Sequence, residues 1–90
     1  MPPLPDLILY GRPACALCDE TRAILERLLE RRRSAGLTAP RLVERDIDAD
    51  ASWQRAYFAS IPVVVLGERR LDLATSASAL QRLLAEGLDA

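Results

Sequence analysis

The sequence predicts an α/β domain: a mixed four-stranded sheet with helices on both faces. Three observations carry that expectation. Short apolar runs rich in Ile and Val alternate with longer stretches whose apolar residues recur every three or four positions. The resulting order is strand, helix, strand, helix, strand, strand, helix. Helices between the early strands imply right-handed crossovers and parallel pairing, whereas a short turn at Gly67 makes the last pair antiparallel.

The elements follow in chain order. Asp6-Leu7-Ile8-Leu9-Tyr10, ended by Gly11 and Pro13, has the length and side chains of a buried strand. From about Cys15 to Arg33, Leu17, Thr21, Ile24, Leu25, Leu28 and Leu29 form one helical stripe. Asp19 and Glu20 in its first turns and Arg31-Arg32-Arg33 in its last suit the helix dipole, and Gly36 supplies a stop. The arginine run reads as a solvated helix end. Residues 41–47 alternate apolar and charged groups, as a strand with one well-buried face does. Asp48 or Asp50 caps a short helix through Trp53 and Tyr57, both expected as packing residues. Residues 61–66 form a valine-rich strand, and 69–73 its hairpin partner. Ser76 or Ser78 caps a last helix that turns Leu80, Leu83 and Leu84 inward and ends at Gly87. Residues 1–5 read as a proline-rich N-terminal extension and 6–90 as a single domain.

Composition narrows the function. The 90 residues are 50% hydrophobic and 28% charged, the balance of a globular domain, and the formal net charge of -1 argues against a nucleic-acid or membrane-surface binder. No apolar run approaches the roughly 20 residues of a membrane span, and the start lacks a secretory signal's pattern, so a cytoplasmic location is expected. The chain has no His and no Lys; all 12 basic residues are Arg. Serine–His, cysteine–His and His–metal mechanisms are therefore excluded within this chain.

What remains is Cys15-Ala16-Leu17-Cys18, which contains the only 2 cysteines. The spacing puts both sulfurs on one side of a helix's first turn, within reach of a reversible disulfide. Following a strand and opening a helix, the motif takes on redox meaning. Cys15, at the helix N-terminus, meets unpaired backbone N–H groups and the positive end of the dipole. Arg12, three residues upstream, adds a cation, and such surroundings lower a thiol pKa from about 8.5 to roughly 3.5–7.5. Cys15 is thus the candidate nucleophile and Cys18 the resolving thiol. A purely structural bridge would close too small a loop to stabilise much. Zinc needs about four ligands, so two thiols would serve a metal or an iron–sulfur cluster only with outside donors. A non-catalytic metal or cluster module and a binding adaptor with incidental cysteines stay as rivals.

Ser60-Ile61-Pro62 is the second feature. A proline opening a strand is compatible with ordinary sheet geometry. A cis Ile61–Pro62 bond would instead set the free N–H and C=O of Ile61 beside the Cys15 sulfur, ready to pair with an extended substrate or a thiol cofactor.

Residues 9–18, the helix after them and the later Ile61-Pro62-Val63 together resemble the glutaredoxin family, in particular its small bacterial members with a Cys-x-Leu-Cys site. The resemblance implies a thioredoxin-like fold and thiol–disulfide oxidoreductase activity. It implies Cys15 as nucleophile, Cys18 as resolver, Arg12 as the cation beside the active thiol, and Pro62 as a cis-proline with Ile61 as its substrate-binding neighbour. The expected partner is a disulfide-containing protein or small molecule, met by a monomer; charge and hydropathy already argue against nucleic acid and membrane, and no metal-ligand residues are assigned. No tightly bound cofactor is expected; glutathione is the small thiol the family suggests. Two departures bear on that thiol. Ala16 and Leu17 replace the family's usual proline and aromatic residue. Leu71-Asp72-Leu73-Ala74-Thr75-Ser76 stands where the family has two glycines followed by an acidic residue, and a negative Asp72 opposes a docking carboxylate.

Overall fold

The structure, a computed structural model, describes residues 4–89, so residues 1–3 of the proline-rich extension lie outside the described residues. Strand β1 (Leu7–Gly11) leads to helix α1 (Ala16–Ser34), then to strand β2 (Leu42–Asp46). A 3-10 turn, Ile47–Ala49, and helix α2 (Ala51–Tyr57) follow; strands β3 (Val63–Leu66) and β4 (Arg69–Leu71) and helix α3 (Ala77–Leu88) complete the chain. The sheet order is β2-β1-β3-β4.

Parallel pairing holds for β1 and β2, but β3 lies antiparallel to β1 despite the helix that precedes it. The reason is length. Helix α2 has 7 residues and is only ~10 Å long, too short to carry the chain back along a strand of ~17 Å. The chain therefore leaves β2 at Asp46, beside Gly11, and enters β3 at Val63, opposite Tyr10. It crosses one end of the sheet instead of returning to the other.

Strand alternation divides the core. Leu7 and Leu9 of β1, with Val64 and Leu66 of β3, face α1 and α3, where Leu25 and Leu80 are fully buried. Ile8, Tyr10 and Val63 face the other way, against Ile47, Trp53 and Tyr57. Tyr10 stacks on Tyr57 with ring centroids 4.2 Å apart and meets Trp53 edge-on at 6.0 Å. Its hydroxyl accepts a hydrogen bond from Arg45 at 2.9 Å. The aromatic residues near the second helix are thus packing groups, except Phe58, which is exposed.

Three further expectations change in three dimensions. Leu17, placed on the inward stripe of α1, is 49% exposed, because the sheet and α3 cover that helix only from Cys18 and Thr21 onward. None of β2 is fully buried: at the sheet edge, Leu42 and Val43 keep partial contact with water. Arg32 is not solvated but buried, its Nε donating to the Thr38 carbonyl at 2.5 Å and its Nη2 to Asp89 at 2.5 Å. That fork fastens the end of α1 to the end of α3.

Arg32→Ala should lower folding stability by about 2 kcal/mol, since charge-assisted hydrogen bonds and the packed stem disappear together. The arginine's hydrogen bond holds the Asp89 carboxyl below its usual 3.8. A carboxylate with a lowered folded pKa contributes fully above the unfolded value and loses its contribution as pH falls through the folded one. In urea titrations the gap between variant and parent should therefore be full at neutral pH and shrink below about pH 4. A gap that grows in acid would contradict the pairing.

Candidate functional site

The site forms where β1 hands the chain to α1. Gly11 ends the strand, and Arg12-Pro13-Ala14 make a tight turn in which Ala14 takes φ 57°, a left-handed value rare for a residue with a Cβ. Cys15 is the N-cap of α1, in extended conformation, and its Sγ accepts a hydrogen bond from the Cys18 N–H at 3.1 Å. A sulfur in that position receives one of the helix's four orphan N–H groups and sits on the dipole's positive end. Cys15 and Cys18 are joined as a disulfide, with Cα atoms 5.2 Å apart.

The two sulfurs are unequal in access. Cys15 is half-buried, whereas Cys18 is 2% exposed. Cys18 packs on Gly11, where an added Cβ would come within 2.9 Å of its Sγ. A cavity of about 230 Å³ on the α1–β2 side is lined by Cys18 and Gly11 together with Arg12 and Glu44, the last paired with Arg22.

Register brings the proline to the same place. Tyr10 pairs with Val63, so Gly11 and Pro62, the next residues outward on two antiparallel strands, face each other across the sheet end. The Ile61–Pro62 bond is cis. Ser60 and Pro62 both accept hydrogen bonds through their carbonyls, from the N–H groups of Leu73 at 2.9 Å and Ala74 at 2.8 Å. Ile61 between them gives neither its N–H nor its C=O to a hydrogen bond among the described residues. The loop that holds this segment is itself tied to the thiol helix: the buried Thr21 hydroxyl donates to the Ala74 carbonyl at 2.7 Å.

Cys15, Cys18, Ile61 and Pro62 thus meet at one end of the sheet. Arg12 belongs to the same turn, but its Nη2 is engaged by Asp48 at 2.9 Å, so the charge it offers a thiolate is shared with a carboxylate. Sequence reasoning missed Asp48 in this role, having offered it only as one of two helix caps; Asp50, the other, is the residue that caps α2. It also missed Leu73, whose φ of 47° turns the chain before α3. No residue type announces such a turn, because leucine seldom adopts it. Among the described residues, no group of three or more His, Cys, Asp or Glu side chains is placed to hold a metal ion, and no helix is long and apolar enough to cross a membrane.

Comparison with known sequences decides the family. The profile of the glutaredoxin-like domain (DUF836) matches residues 6–87. The chain belongs to that glutaredoxin-like family. Its fold is thioredoxin-like, and solved structures share it across nearly the whole chain. A structural-genomics target protein from X. campestris, XcR50, is 30% identical, covering 89% of this chain and 96% of its own, with a TM-score of 0.70. Protein Ne2328 from Nitrosomonas europaea, solved in solution, superposes with a TM-score of 0.68 at 23% identity, over 92% of this chain and 94% of that one. A malarial protein does so with a TM-score of 0.68 at 19% identity, over 96% and 99%. Among curated proteins, none matches. Family and cysteine pair together make this glutaredoxin-like chain a redox-type protein of thioredoxin fold.

Proposed function

We propose that this glutaredoxin-like protein is a thiol–disulfide oxidoreductase acting through Cys15. The observation that carries the reading is the N-cap position of the Cys15 sulfur, 3.1 Å from the Cys18 N–H, with its partner sulfur buried beside it. A cap that accepts an N–H bond is stabilised further when it is an anion.

The cycle starts from the dithiol. The Cys15 thiolate attacks one sulfur of a substrate disulfide; a Cys15–substrate disulfide forms and the other substrate sulfur leaves as a thiolate, which takes a proton from water. Cys18 then gives its proton to solvent through the adjoining cavity and attacks the Cys15 sulfur, and the departing substrate thiolate takes a proton back from water. The Cys15–Cys18 bond forms and the second substrate thiol departs. The substrate has gained two electrons and the protein has lost two, to be restored by an external thiol reductant. The open backbone groups of Ile61 pair with the extended chain around the substrate sulfur, while Arg12 contributes its shared charge. The partner is a disulfide-bearing protein or small molecule. The protein works as a monomer without a tightly bound cofactor, its oxidised pair returned to the dithiol by an external thiol. The setting is the cytoplasm, where thiol pools keep such a pair reduced.

The test is the rate of alkylation of the reduced protein against pH, read at Cys15 by mass spectrometry. An inflection below about 7.5 is expected. One near 8.5 would favour an adaptor with incidental thiols, and purified protein carrying zinc or a coloured cluster with little turnover would favour a metal-binding module.

A further inference from the structure

We propose that the face around Cys15 docks polypeptide disulfides with apolar residues beside the cysteine, and that it discriminates against glutathione disulfide. The proposal rests on the oxidoreductase reading and names its substrate class.

The rim of the site is apolar. Leu17, between the two cysteines, is 49% exposed, and Leu73 is 59% exposed. Thr21 lies one helical turn beyond Leu17, and its bond to the Ala74 carbonyl sets Leu73 at the edge of that same turn. On its other side Leu73 donates its N–H to Ser60, next to Ile61. The open backbone of Ile61 therefore adjoins the leucine loop that is tied to α1. Phe58, 63% exposed, stands two residues before Ser60 on the same connection. The backbone at Leu73 sharpens the point. A φ of 47° suits glycine or asparagine, yet the position carries a large apolar side chain turned out to water.

The charges point the same way. Glutathione brings two carboxylates and a net negative charge, and needs cations that are free. Arg12 is already on Asp48, and Arg70 is paired with Asp72 through two contacts, at 2.5 and 3.2 Å, while lying over the Tyr57 ring. Asp72, which adjoins Leu73, already holds that guanidinium, so an incoming carboxylate on that side meets no unpaired cation. A polypeptide offers what the site lacks a partner for: backbone groups for Ile61, and side chains on either side of the cysteine for Leu17 and Leu73.

The experiment is single-turnover oxidation of the reduced protein, followed by stopped-flow tryptophan fluorescence with mass-spectrometric confirmation. Three oxidants are compared: a short peptide disulfide with Leu and Phe flanking its cysteine, glutathione disulfide, and the uncharged 2-hydroxyethyl disulfide. The apolar-flanked peptide should react at least about tenfold faster than glutathione disulfide. In Leu73→Ser, an exposed position that should leave the fold intact, that ratio should fall several-fold; Leu17→Ser should lower it likewise. Asp72→Ser, which frees Arg70, should raise the glutathione rate. Glutathione disulfide reacting as fast as the peptide, or a ratio unmoved by both leucine changes, overturns the proposal while leaving the oxidoreductase reading in place. Failure to react with all three disulfides removes the oxidoreductase reading, and this inference with it.

Discussion

Cys15→Ser should abolish disulfide exchange, by on the order of a thousandfold or more, whereas Cys18→Ser should leave a protein that reacts once and stays joined to its substrate. The asymmetry comes from the geometry of one helical turn. Cys15 caps α1 and is half-buried, so its sulfur meets both the stabilising N–H groups and the incoming disulfide. Cys18 lies inside the turn at 2% exposure, where it reaches the Cys15 sulfur but no external one. A serine at 15 has no anion to offer near neutral pH. A serine at 18 cannot expel the captured thiol, so an adduct of the protein mass plus one substrate thiol should accumulate in non-reducing mass spectra. Equal loss in both variants without an adduct would reverse the assignment of roles.

The second large effect is expected at Gly11, which carries no chemistry of its own. Gly11→Ala puts a Cβ within 2.9 Å of the Cys18 sulfur and 3.2 Å of its Cβ. Neither atom can swing away easily, because Cys18 is buried in the first turn of a long helix and bonded to Cys15. Overpacking of this kind costs about 1–3 kcal/mol. It should also push Cys18 off its line of attack, so that the adduct described above appears transiently in the Ala variant with both cysteines present. Thermal unfolding measures the first consequence and quench-flow mass spectrometry the second. A variant of unchanged stability that releases substrate at the parent rate would show that the contact relaxes freely.

Local signals made much of this molecule readable beforehand. A serine N-cap for α3, which is Ser76 of the two candidates Ser76 and Ser78, and the span of α1 follow from capping chemistry and apolar spacing, which involve residues within a few positions of one another. The same is true of the two thiols, since a strand end, a proline turn and a helix start set the place of Cys15. Arg32 shows where such reading stops. In sequence it is the middle of three arginines at a helix end; in the fold it is buried because Thr38 and Asp89 come to it from two different directions. Leu17 errs the opposite way, with the right periodicity but no element above it to bury it.

By itself, then, the sequence determined the order of elements, the pairing of two sulfurs on one turn, and the absence of any histidine to assist them, because each depends on neighbours in the chain. Tertiary structure alone decided that Pro62 faces Gly11, that β3 runs antiparallel, that Asp48 claims Arg12, and that Leu73 turns the chain at a left-handed φ with its N–H on Ser60. Those outcomes turn on a strand register and on a helix too short to cross back. They rest on contacts between residues tens of positions apart, whose free energies no local pattern encodes.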